Sequence, residues 1–118
     1  MKLYCMVGKL KQEHIADYKQ YHENAHKTEW KIILAALKRA GAEVCNVYSW
    51  EDNSAVIIGC DDVDEFFNNL GKDEDNNKWQ ALMTGFFAAE ETFGGSSTVT
   101  AEKIFDLNEQ LSGYLDKT

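Results

Sequence analysis

Two runs in the middle of the chain, AEVCNVYSW (residues 42–50) and AVIIGC (residues 55–60), limit what it can fold into. The first alternates, with Val44, Asn46, Tyr48 and Trp50 on one face and Cys45, Val47 and Ser49 on the other, which is the period of a strand. EDNS supplies a turn, and the second run, apolar almost throughout, reads as a buried returning strand. Together they predict an antiparallel hairpin.

Each side of this hairpin carries a helix and then a strand. Upstream, residues 2–10 begin a strand in which Leu3, Cys5 and Val7 alternate with Tyr4 and Met6. A helix is predicted from about residue 11 to Arg39, with Ile15, Tyr18 and His22 on one side and Trp30, Ile33, Leu34 and Leu37 continuing an apolar stripe. That helix is long for so small a domain. The polar run HENAHKTE weakens its apolar face near Asn24, a point at which it can break. Gly41 follows Lys38 and Arg39 and reads as a C-terminal cap, with cations placed where the helix dipole favours them.

Downstream, Asp61 and Asp62 can cap a short helix in VDEFFNNL, which GKDEDNN interrupts. KWQALMTGFFAAEE then resumes it with Trp79, Met83 and Phe86 or Phe87 on one side. FGGSS is a flexible loop, and TVTAEKIFDL is a last strand whose Val99, Ala101 and Ile104 alternate imperfectly. The tail NEQLSGYLDKT reads as a short helix or a loose end. The order β-α-β-β-α-β is the ferredoxin-like α+β arrangement, an antiparallel four-stranded sheet with its helices on one face. The other face is bare unless another chain covers it, and the apolar and aromatic residues on both faces of the hairpin predict a homodimer stacked through its sheets.

At 118 residues the chain has room for one core, read as a single domain over residues 1–107 with residues 108–118 as a C-terminal tail. Net charge is -8 with Lys and Arg spread out, which argues against nucleic acid or an anionic membrane as a partner. No apolar run approaches the ~20 residues of a membrane span, and MKLYCMVGKL has no sustained apolar core of a signal peptide. Cys5, Cys45 and Cys60 make an odd count without a CxxC pair, as expected of buried thiols in a reducing compartment. A cytoplasmic location follows as the expectation. The chain has no Pro, so nothing forces a kink in its helices.

The chemistry gathers between Tyr18 and Trp30. Written as a helix, this stretch places Tyr18, His22, His26 and Trp30 four residues apart, each nearly above the last. Such a stripe offers two groups able to move protons near neutral pH and aromatic surface to hold a ligand. The same spacing also serves a plain core. His22 and His26 further match the i, i+4 spacing of a helical zinc half-site, which needs a third ligand from Glu23, Glu29 or His14.

At these residues the chain resembles the L-rhamnose mutarotases, small dimeric α+β barrels that interconvert the anomers of a sugar. LKQEHIADYKQYH puts Tyr18 and His22 on the family's first-helix tyrosine and histidine without a gap. The likeness continues through WKIILAALKRAGA, the hairpin and KWQALMT, and ends in EKIFDL. Between His22 and Trp30 this chain is four residues longer than the family's H-x-x-x-W, so His26 fits the family spacing to Trp30 equally well. The gapless N-terminal match favours His22, with His26 as the alternative. Cys45 stands where the family has a tyrosine, and Trp79-Gln80 where it has two tryptophans.

The resemblance implies a mutarotase acting on L-rhamnose or a related deoxy sugar, with His22 and Tyr18 catalytic and Trp79, His26, Trp30, Cys45 and Gln80 at the substrate. It implies no cofactor and no metal. Two other readings stay open: a non-catalytic ligand-binding dimer, and a haem- or oxygen-handling protein on the same dimeric barrel.

Overall fold

The computed structural model describes residues 1–88 and 99–116. Its strands are β1 (Lys2–Lys9), β2 (Val44–Trp50), β3 (Asn53–Cys60) and β4 (Val99–Ala101). Its α-helices are α1 (Ile15–Glu23), α2 (Ile32–Ala40), α3 (Val63–Gly71), α4 (Glu74–Thr84) and α5 (Leu107–Asp116). The strands form one antiparallel sheet in the order β2-β3-β1-β4. That is the ferredoxin-like order, with the chain's first strand and the returning strand of the hairpin side by side in the middle.

The hairpin forms where its alternation places it. Trp50 faces Asn53 across a two-residue turn, in which Glu51 takes a left-handed backbone with φ 54° and the Asn53 side-chain amide donates to the Trp50 carbonyl at 3.1 Å. Register follows from burial. Met6, Ser54, Ile58 and Cys60 are buried toward the helices, whereas Leu3, Val7, Tyr48 and Trp50 stand exposed on the opposite face. A slip by one residue would exchange those two sets, so the core itself fixes the pairing.

Two apolar clusters fill the space between sheet and helices. Leu10, Tyr18, Ile33, Ala36, Trp79, Met83 and Phe86 make one, and Ala40, Ile58, Cys60, Phe66 and Leu70 the other, with Leu37 packed against both. Trp79 and Met83 share the buried face of the later helix as periodicity predicts, but α4 ends at Thr84 and Gly85 caps it, so Phe86 is buried in the turn beyond the helix and half-buried Phe87 forms a β-bridge with Leu10. Gly41 does end α2: it adopts φ 115°, its N–H donates to Lys38, and the Ala42 N–H donates to Leu37, the paired bonds of a Schellman motif.

Both helical segments divide where polar side chains compete for the backbone. The expected helix over 11–39 ends at Glu23. Two 3₁₀ turns follow, Ala25–Lys27 and Glu29–Lys31, before α2 begins. Thr28 lies extended between them and its hydroxyl accepts the Trp30 N–H at 3.2 Å, so the threonine restarts the helix instead of continuing it. In the second segment the interruption shrinks to Lys72 and Asp73. The Asp73 carboxylate accepts the N–H groups of Asp75 and Asn76, at 3.0 and 3.3 Å, and so recruits Glu74–Asn77 into α4. Asp62 caps α3 in the same way, accepting from Glu65 at 3.1 Å.

The end of the chain departs from its expected form. Among the described residues the last strand covers Val99–Ala101, and beyond it Lys103 pairs with Asp106 and Glu109, each at 3.1 Å, at the start of the tail. The tail settles as a helix, α5, capped by Asp106 accepting the Glu109 N–H at 3.0 Å. The FGGSS loop lies outside the described residues.

Candidate active site

The stripe survives the break in its helix only in its first half. Tyr18 and His22 sit one turn apart on α1, their rings 4.2 Å between centroids. Both line a cavity of about 520 Å³ between the sheet and the helices. Met6, Ile33, Val47, Val56, Met83 and Phe87 give it apolar walls, and Cys45, Ser54, Trp79 and Gln80 complete its lining among other residues. A volume of this size is ordinary for a small-molecule site.

Tyr18 is buried, and its phenol oxygen lies 2.7 Å from the Ser54 hydroxyl across the sheet–helix boundary. Burial raises the phenol above its usual 10.0, with the Ser54 hydrogen bond working against that and Cys45 adding to it. The group is therefore a protonated phenol at neutral pH. His22 is half-buried, and its Nδ1 lies 2.8 Å from the Tyr18 carbonyl oxygen. A carbonyl can only accept, so Nδ1 carries the hydrogen and donates it. Burial holds the imidazole below its usual 6.5, the bond to the Tyr18 carbonyl pulling the other way. At neutral pH the ring is thus uncharged, with Nε2 bare and able to take a proton.

Trp79 stands edge-on to His22 at 5.1 Å and to Trp30 at 5.7 Å. The cavity is lined by Trp79 and not by Trp30, which buttresses the first indole from behind. Gln80 lines the cavity with its side-chain amide donating to Asn76 at 3.3 Å. Cys45, on the inward face of β2, lines it as well, and burial pushes its thiol up to about 11. It is a neutral, weakly polar wall at cellular pH.

His26 is placed elsewhere. The helix ends at Glu23, so the next turn is not a continuation of the stripe, and His26 stands exposed on the Ala25–Lys27 turn outside the cavity lining. The two imidazoles do not converge, and among the described residues no three His, Cys, Asp or Glu side chains gather as a metal site would require. Ser54 is the residue that sequence reasoning passes over. Composition puts it in the EDNS turn, whereas β3 begins at Asn53 and places Ser54 in the inward register of Val56, Ile58 and Cys60. A polar residue continuing that inward series is the signal that identifies it.

These features define a class: a ferredoxin-like α+β protein with a ligand-sized cavity between its layers and a phenol–imidazole pair on the wall. The family model of L-rhamnose mutarotase matches residues 3–107, and the chain belongs to that family of anomer-interconverting isomerases. Among solved structures, an L-rhamnose mutarotase from Formosa agariphila is similar with a TM-score of 0.66 at 14% identity, covering 90% of this chain and 98% of that one. Tetracenomycin F2 cyclase from Streptomyces glaucescens, a type-II polyketide cyclase, has a TM-score of 0.54 at 12% identity, covering 90% and 96%. An uncharacterized NIPSNAP domain protein from Burkholderia xenovorans also has 0.54, at 10% identity, covering 90% and 98%. At these identities the solved structures share the fold. No curated protein matches the chain in sequence. No helix among the described residues is long and apolar enough to cross a membrane.

Proposed function

We propose that this protein is a mutarotase that interconverts the α and β anomers of L-rhamnose or a related deoxy sugar, with His22 and Tyr18 as its proton-transfer pair. His22 Nε2 removes the proton of the anomeric hydroxyl while the Tyr18 phenol protonates the ring oxygen. The bond from C1 to the ring oxygen breaks and an open-chain aldehyde forms. C1 turns about the C1–C2 bond, and reclosure returns the ring-oxygen proton to Tyr18 and the His22 proton to the new anomeric hydroxyl. Protons balance over the cycle: His22 is protonated and Tyr18 ionised only in the open-chain intermediate, and reclosure returns both to their resting states. Each group contributes on the order of 10²–10⁴-fold.

The observation that carries this reading is the locked tautomer of His22. Its Nδ1 is committed to the Tyr18 carbonyl at 2.8 Å, which leaves the other nitrogen as an uncharged base beside a protonated phenol. Ser54 hydrogen-bonds to the Tyr18 oxygen as charge develops there. Trp79 offers an indole to the apolar face of the pyranose, and Cys45 and Gln80 supply further contacts. The exposed apolar outer face of the sheet supports a homodimer paired through that face, and the free thiols of Cys5, Cys45 and Cys60 support a reducing cytoplasm.

Saturation-transfer NMR on L-rhamnose, L-fucose and related sugars tests the activity. At least one sugar is expected to exchange anomers faster with the protein than without it. Saturable binding with no exchange above the spontaneous rate on every sugar would make the cavity a receptor for a metabolite and overturn the enzymatic reading.

A further inference from the structure

We propose that Gln80 is a specificity-determining residue of the cavity, its side-chain oxygen accepting a ring hydroxyl of the sugar that takes no part in the reaction. Buried Asn76 orients it. The inference rests on the mutarotase reading above and deepens it, naming the kind of sugar the site takes.

Among the described residues, Ser54 and Asn76 are the buried polar ones. Ser54 meets the Tyr18 phenol, whereas Asn76 lies outside the cavity lining, one turn before Gln80 on α4. The Asn76 Nδ2 donates to the Leu70 carbonyl, in the last turn of α3, at 3.0 Å. A carbonyl can only accept, so the Asn76 amide has one orientation. Reversed, it would set its own oxygen against the Leu70 oxygen away from water. Its Oδ1 is thereby turned to Gln80 and accepts from Nε2 at 3.3 Å. The Gln80 amide is oriented in its turn. Its nitrogen is held on Asn76, which leaves the oxygen as the end offered to the cavity.

Acceptors are scarce on the inner walls. Ile33, Val47, Val56 and Met83 are apolar, and Cys45 is a neutral thiol. The Tyr18 and Ser54 oxygens are occupied with each other, and His22 Nε2 takes the anomeric proton. Glu23 and Asn46 also line the cavity, but both are exposed to water. Gln80 is half-buried, so a ligand that brings it no donor leaves it unpaired there. The sugar that fits lays its apolar face on Trp79 and presents a free hydroxyl to Gln80, the next residue of the same helix. A sugar deoxygenated, fluorinated or O-alkylated at that carbon is discriminated against.

Anomer exchange on L-rhamnose and its 2-, 3- and 4-deoxyfluoro analogues tests this for the native chain, Gln80→Met and Asn76→Ala, with each fold verified by circular dichroism. Fluorine is close to a hydroxyl in size but donates no proton. With the native chain, one analogue is expected to fall below L-rhamnose in kcat/KM about tenfold further than it does with Gln80→Met. That comparison cancels what fluorine does to the sugar itself. Asn76→Ala is expected to lose part of the same discrimination although Gln80 is present, which a merely structural role would not touch. Gln80→Met lowering all four sugars by one common factor overturns the contact. Asn76→Ala keeping the native discrimination overturns the orienting step. A native chain that exchanges none of the four overturns the mutarotase reading, and tryptophan-fluorescence titration then makes the same comparison on dissociation constants. A native chain that also binds none of them overturns both.

Discussion

The Tyr18 phenol oxygen and the Ser54 hydroxyl lie 2.7 Å apart, joining the first helix to the inward face of the third strand. Both residues are buried, so each is the other's partner in place of water. Ser54→Ala leaves the phenol without this bond. The expected cost is about 1 kcal/mol of stability, read as a lower midpoint in urea with an unchanged slope. Because the Ser54 bond opposes the rise that burial imposes, spectroscopic titration should find the Tyr18 phenol higher still in the variant. Anomer exchange is expected to slow several-fold, with Ser54→Thr restoring most of it.

The neutral state of His22 fixes a pH dependence. Its folded pKa lies below the usual 6.5, so as pH falls from that value the unfolded chain takes up the proton first. Stability is therefore lost as pH falls from the unfolded value to the folded one, and no further below it. His22→Gln should remove that component from a plot of unfolding midpoint against pH. Anomer exchange should rise with pH through the same depressed pKa and level off by neutrality, since the bare Nε2 is the active form.

Glu51 holds a left-handed backbone at the tip of the hairpin, with φ 54°. A side chain of this kind is disfavoured there by about 1 kcal/mol, whereas Asn visits that region readily. Glu51→Asn is expected to raise stability by up to ~1 kcal/mol, measured by urea unfolding, and to leave anomer exchange unchanged.

Much of the fold is legible because burial imposes a period. The alternation of Val44 to Trp50 and the inward pair Trp79 and Met83 follow from which side of an element meets the core, and the Gly41 cap follows from the left-handed backbone that glycine takes freely. What the chain conceals is decided by single polar side chains. Thr28 and Asp73 each restart a helix by capping it, so one polar run lengthens a break and the other shortens it. Ile104 and Phe105 look like the end of a strand by composition, yet β4 ends at Ala101 and both stand exposed beyond it, where Lys103 pairs forward with Asp106 and Glu109. In the site, Tyr18 and His22 are within reach of spacing, and Trp79 is within reach of the family resemblance. Ser54 is not, because a serine beside Asp52 and Asn53 reads as part of a turn. The place of His26 turned on the same break near Asn24, which no apolar pattern locates to the residue.

The central claim is that His22, and not His26, moves the proton. The direct measurement is the rate of anomer exchange on L-rhamnose, by saturation-transfer NMR, for the native chain, His22→Ala and His26→Ala at matched concentration. His22→Ala is expected to fall by about 10²-fold or more toward the spontaneous rate, and His26→Ala to stay within about twofold of native. Loss of exchange in His26→Ala with a native rate in His22→Ala would contradict the account.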